Sequence, residues 1–114
     1  MNTVYTIAFD GHDFLMVYNP KRKGWEMPGG SMEDNENAAD AAFREYLEES
    51  GHEISVIAVK ATDDCYVCAA ALGAKIRDGE FISALFTELP DELAFDRSEY
   101  DEVIEWARSV TEKK

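Results

Sequence analysis

The stretch GWEMPGGSMEDNENAADAAFREYLEESGHE, residues 24–53, decides how the rest of the chain is read. Ala39, Ala42, Phe43, Tyr46 and Leu47 recur at the i, i+3, i+4 spacing that gathers apolar side chains on one face, which predicts a helix over 38–50. Asn37 stands where a side-chain oxygen would cap the first turn, with Asp40 three residues on, and Gly51 stands where a left-handed residue would end the helix. Glu45, Glu48 and Glu49 share one side of that helix, roughly opposite its apolar face. At an effective dielectric near 20, two such charges about 5 Å apart repel by about 3 kcal/mol, and a hard divalent cation would turn that repulsion into binding. By themselves the three glutamates describe a solvated acidic face more readily than a site. Ahead of the helix, the short WEM segment runs into Pro28-Gly29-Gly30, where regular structure is expected to stop and glycine to allow unusual backbone angles.

Outward from this stretch the chain alternates strands with helices. Residues 3–9 and 14–18 are β-branched and aromatic runs joined by Asp10-Gly11-His12-Asp13, the chemistry of a hairpin. Further strands are expected at about 54–60, 65–72 and 80–87, the last two separated by a turn at Arg77-Asp78-Gly79. A closing helix carries Tyr100, Val103, Ile104, Ala107 and Val110 on its apolar face, and Ser98-x-x-Asp101 resembles a capping box at its start. The fold class is therefore α/β, with a mixed sheet sandwiched between helices, in a single domain spanning residues 1–114.

Composition narrows the function. The chain carries 24 Asp+Glu against 11 Lys+Arg, a formal charge of -13, which disfavours long nucleic acid and anionic membrane surfaces. A small phosphorylated ligand is still compatible, because cations held by carboxylates invert the local field. No apolar run is long enough to span a bilayer and the N-terminus lacks a basic, cleavable leader, so a cytoplasmic protein is expected. Cys65 and Cys68 form a single C-x2-C and the chain has two histidines, which reads as reduced thiols on a strand rather than a zinc site.

Gly30, Glu36, Arg44, Glu45, Glu48, Glu49 and Gly51 match the pattern G-x5-E-x7-R-E-U-x-E-E-x-G-U, in which U is a bulky aliphatic residue. Over residues 30–52 this is the Nudix box, and the sequence resembles a Nudix hydrolase. The resemblance extends to the N-terminal hairpin, the W-E-x-P-G-G lead-in and the segment GEFISALFTELP. Tyr46 and His52 depart from the aliphatic U positions. Asn35, where many members have Gly, is expected to take a left-handed conformation at small cost.

The resemblance implies hydrolysis of a diphosphate linkage with Mg²⁺ or Mn²⁺. Glu45, Glu48 and Glu49 would be metal ligands, joined by the Gly30 carbonyl, and Glu36 and Arg44 would orient the glutamates. Glu80 would be an additional metal ligand or proton acceptor, or else a surface residue in a tight turn; the catalytic base is left open among Glu80, Glu99 and the box glutamates. Lys21, Arg22 and Lys23 form a basic cluster just before the loop, where Arg22 and Lys23 would grip phosphates or merely occupy a solvated turn. Tyr5, Phe9, Tyr66, Phe81 and Phe86 are candidates for a base-stacking wall.

The small size resembles the MutT-type members, which convert a nucleoside triphosphate, including oxidised dGTP, to the monophosphate and pyrophosphate. ADP-ribose-cleaving members often carry a proline shortly after the box, and no proline lies between Gly51 and Glu88 here. A domain that binds a nucleotide or a partner protein without hydrolysis is the alternative of a different class, disfavoured by the complete glutamate set. A small-molecule nucleotide is the expected partner, and the chain a monomer or homodimer.

Overall fold

The computed structural model describes residues 2–112. Strands β1 (Thr3–Asp10) and β2 (Asp13–Asn19) form the hairpin, followed by the short strands β3 (Gly24–Glu26) and β4 (Gly29–Ser31), helix α1 (Ala38–Ser50), the long strands β5 (His52–Ala61) and β6 (Tyr66–Lys75), β7 (Ser83–Phe86) and helix α2 (Ser98–Thr111). The sheet order is β3-β2-β1-β6-β5, with β4 added to β1 and β7 to β2. β1 and β6 run parallel and the other pairs antiparallel, so the sheet is mixed.

Alternation along the strands divides the core in two. Val4 and Ala8 of β1, Leu15 and Val17 of β2, and Cys68 and Ala70 of β6 face one side with Ala41, Ala42 and Tyr46 of α1. Ile7, Phe9, Phe14, Met16, Val67 and Ala69 face the other side with Tyr100, Val103 and Ala107 of α2. Each helix thus covers one face of the sheet, the sandwich expected from the sequence.

The ends of α1 follow their sequence signals. Asn37 Oδ1 accepts the Asp40 N–H at 2.8 Å, and Gly51 takes φ 79° while its N–H donates to the Leu47 carbonyl. Elsewhere the structure corrects the reading. Gly29–Ser31 is not a loop but a strand on β1, and neither Gly29 nor Gly30 has a positive φ; they are needed for close approach, since a Cβ on Gly29 would collide with the Val4 carbonyl and Tyr5. Asn35 likewise has no positive φ; among the described residues the non-glycine residue that does is Lys23, at 56°.

Glu80–Ile82 lies outside β7, because the Glu80 and Phe81 N–H groups are drawn to the Glu48 and Glu49 carbonyls at the end of α1, at 2.9 and 3.0 Å. Ser98 does not cap α2. Its N–H and hydroxyl instead donate to Asp96 Oδ1, both at 3.0 Å, which satisfies an N-terminal amide and holds the Asp96 carboxyl below its ordinary range.

Tyr46, at a usually aliphatic position of the box, is fully buried, and its hydroxyl has no hydrogen-bond partner. An unpaired buried hydroxyl costs about 1–3 kcal/mol. Tyr46→Phe is therefore expected to raise the melting temperature by several degrees, measurable by calorimetry; a variant melting below the parent would show that the hydroxyl is satisfied in solution.

Candidate active site

The site forms where the buried side of α1 meets β4. The sequence places Phe43 and Leu47 on the apolar face with the glutamates opposite, but the buried residues of α1 are Ala41, Ala42, Tyr46 and Ser50, and Phe43 is 38% exposed. The inward face is turned by about a quarter of a helical turn, at 3.6 residues per turn, and it includes Glu45 and Glu49. The cause is β4: with no side chains on Gly29 and Gly30, the helix presses carboxylates against the strand. The Gly29 N–H donates to Glu49 Oε1 at 3.1 Å. The Glu45 carboxylate occupies the space a Cβ on Gly30 would need.

Arg44 ties this arrangement to the preceding loop. Its Nε and Nη2 donate to the two oxygens of Glu36 at 2.6 and 2.8 Å, Nη2 also to the Ser31 carbonyl at 2.9 Å, and Nη1 to Glu45 Oε2 at 3.1 Å. Glu48 Oε2 lies 3.5 Å from the same Nη1. Glu36 in turn accepts the Glu33 N–H at 2.8 Å. The Arg44 hydrogen bonds, helped by that amide, hold the Glu36 carboxyl down at about 2.

The two inward glutamates are perturbed in the opposite sense. Burial pushes Glu49 up to about 8, against the Gly29 amide, with Glu45, Glu26 and Glu80 adding to the rise. Burial also raises Glu45, opposed by Arg44. A partly desolvated carboxylate pair, with Arg44 on Glu45 and the neutral Gly29 amide on Glu49, is what a hard divalent cation relieves, and oxygen donors are what Mg²⁺ or Mn²⁺ prefers. The donor set fits such an ion: the carboxylates of Glu45 and Glu49, held against Gly30 and Gly29 of β4. Among the described residues, no three carboxylate, thiol or imidazole side chains form a complete metal-binding group. Waters and substrate oxygens would therefore complete the shell, as is usual for Mg²⁺.

The remaining candidates are more scattered. Glu48 and Glu80 are exposed at the rim, Glu80 close enough to raise Glu49. Lys21 and Lys23 are exposed in the turn before β3. Arg22 is engaged by Glu26, with Nη1 3.0 and 3.2 Å from its two carboxylate oxygens. Glu26 is a residue the sequence reading passed over: it is buried on β3 and acts electrostatically on both Glu49 and Tyr100. A carboxylate set between the apolar Trp25 and Met27 was the signal for it.

On the α2 side of β4 a cavity of about 250 Å³ is lined by residues that include Tyr5, Met27, Phe95, Glu99 and Tyr100. Of the expected aromatic wall only Tyr5 lines it. Phe9 is buried in the α2 core and Phe86 packs on Trp25, while Tyr66 and Phe81 pack against the α1 core.

The NUDIX domain family model matches residues 1–112. The chain belongs to the Nudix family. An uncharacterized Nudix hydrolase, YvcI of Bacillus subtilis (strain 168), is 46% identical over 37 residues, which are 32% of this chain and 23% of that protein's length. Two solved structures share the Nudix fold. An ADP-ribose pyrophosphatase from Streptococcus suis 89-1591 is 20% identical with a TM-score of 0.67, covering 93% of this chain and 90% of that one. A MutT structure, from work on Aliivibrio salmonicida and Vibrio cholerae, is 21% identical with a TM-score of 0.62, covering 95% and 96%. Among the described residues of this Nudix domain no helix is long and apolar enough to cross a membrane.

Proposed function

We propose that this Nudix domain is a divalent-cation-dependent pyrophosphohydrolase that converts a nucleoside triphosphate to the monophosphate and pyrophosphate. The observation that carries the reading is the pair Glu45 and Glu49, desolvated against Gly29 and Gly30, beside an aromatic cavity. When bound, the cation neutralises phosphate charge and makes water a nucleophile near neutral pH. The protein's own part is to hold the ligands. Arg44 fixes Glu45 from one side and, through Glu36 and the Ser31 carbonyl, keeps the loop in register with the helix. Gly29 fixes Glu49 from the other. In this reading Glu80, exposed and near Glu49, would accept a proton from water at the rim, and Lys23 would meet a terminal phosphate. The cavity beyond β4 offers stacking surfaces for a base.

Phosphate release from nucleoside triphosphates including oxidised dGTP, coupled to pyrophosphatase, and from ADP-ribose and dinucleoside polyphosphates, coupled to alkaline phosphatase, tests the reading with and without Mg²⁺. Metal-dependent turnover of triphosphates is the expected result. Turnover of ADP-ribose alone would move the chain to the diphosphate-linked class, and silence with metal bound would leave a nucleotide-binding domain. In the same preparation Mg²⁺ at about 100 times its dissociation constant is expected to stabilise the fold by about 2.7 kcal/mol, read as a higher melting temperature at pH 8. An unshifted melt with no calorimetric binding would remove the cation site.

A further inference from the structure

Arg22 was read from sequence as one of two residues that would grip phosphate, yet its guanidinium is occupied twice. Nη1 reaches both oxygens of Glu26, at 3.0 and 3.2 Å, and Cζ sits 5.1 Å from the centroid of the Phe95 ring. Asn19 Nδ2 approaches Glu26 Oε2 at a long 3.5 Å, so Arg22 supplies the two shortest side-chain bonds to that buried carboxylate. Glu26 stands between the two halves of the site: Met27, next to it in the chain, lines the cavity, and Gly29, three residues on, donates its N–H to Glu49 Oε1 at 3.1 Å. Phe95 is part of the cavity wall and lies on a segment without regular structure between β7 and α2. That segment is pinned to β3 by backbone: the Trp25 N–H donates to the Glu92 carbonyl at 2.8 Å and the Ala94 N–H to the Trp25 carbonyl at 2.9 Å, with Gly24 so close to Ala94 that a Cβ would not fit. The pins stop at residue 94. Beyond them the Phe95 ring, 42% exposed, has the Arg22 guanidinium over it.

We propose that Arg22 is a positioning residue, which sets the Phe95 wall of the base cavity relative to the carboxylate cluster by clasping Glu26 and stacking on the Phe95 ring. A preformed wall spares the ligand the cost of ordering it on binding, so losing its support reads as weaker binding of the base, and Arg22 ties that wall to Glu26. The planar guanidinium is required, because an ammonium would keep the charge on Glu26 and lose the stack. The inference deepens the nucleotide reading above and rests on it.

Steady-state kinetics on the best triphosphate, with inhibition by inorganic pyrophosphate and binding of the product monophosphate by tryptophan fluorescence, test it in wild type, R22K, R22Q, F95A and R22Q/F95A. R22Q and R22K are both expected to raise KM about tenfold, equivalent to about 1.4 kcal/mol, and to weaken monophosphate binding equally, with pyrophosphate inhibition within about twofold of wild type. The double variant is expected to be no worse than F95A alone. Rescue by R22K together with weakened pyrophosphate inhibition in R22Q would overturn the proposal in favour of a phosphate grip. Additive losses in R22Q/F95A, or a loss of kcat and melting temperature with KM unchanged, would overturn it in favour of a structural role. A wild-type protein that turns over no triphosphate and binds no monophosphate fails the nucleotide reading itself and takes this proposal with it.

Discussion

Glu49→Gln is expected to lose at least about 100-fold in kcat and, at the same time, to make the metal-free protein more stable at pH 8. The amide keeps the shape of the side chain and can still accept the Gly29 N–H through Oε1, so the fold has no reason to change. It cannot supply the anionic oxygen a hard cation needs. The stability gain follows from linkage. The folded-state pKa of Glu49 is about 8 against an ordinary 4.5, so between those values the folded protein holds a proton that the unfolded chain has released. Stability of the metal-free wild type therefore falls as pH rises through that window, and no such penalty exists below it. In EDTA, the melting temperature of Glu49→Gln is expected to match wild type near pH 4.5 and to exceed it by several degrees at pH 8, since about 1 kcal/mol moves a domain of this size by roughly 4–6 °C. Two parallel melting curves across the pH range would remove the burial argument, and turnover like wild type would remove Glu49 from the metal ligands.

The two glycines of β4 are expected to fail in different ways. The three atoms nearest a Cβ on Gly30 all belong to the carboxylate of Glu45, the far end of a flexible side chain that can swing away, whereas a Cβ on Gly29 would meet the Val4 carbonyl and the Cα and Cβ of Tyr5. Gly30→Ala should thus fold, with a stability change below about 1 kcal/mol, but lose activity by about 100-fold because the displaced carboxylate is a proposed ligand. Gly29→Ala should be destabilised by several kcal/mol, because β4 must leave β1 to admit the methyl group. Chemical denaturation and kcat/KM for the pair check both halves. Equal destabilisation of the two variants would show that Gly30 serves strand pairing and not the carboxylate.

The elements were legible because their signals are local. Asn37 and Gly51 bound α1 through a side-chain oxygen and a left-handed φ, and the alternation of Val4, Ile7 and Ala8 between the two cores needs only the two-residue period of a strand. Errors fell where a distant partner outcompeted the local preference. Glu80–Ile82 has the composition of a strand start but its amides are claimed by open carbonyls of α1, and Ser98 has the residue type of a cap but sits two positions after the oxygen that does the capping.

The sequence alone determined the family, the sandwich and which carboxylates stand on one helix, because fixed spacings on a helix and a strand carry that information without reference to the rest of the chain. Tertiary structure decided which way that helix faces. Close approach of two side-chain-free residues of β4 turned Glu45 and Glu49 inward, raised their affinity for protons, and gathered Glu26 from β3 and Glu80 from beyond β6 into the field of Glu49. Burial and through-space charge depend on what is near in space, and no spacing along the chain encodes them.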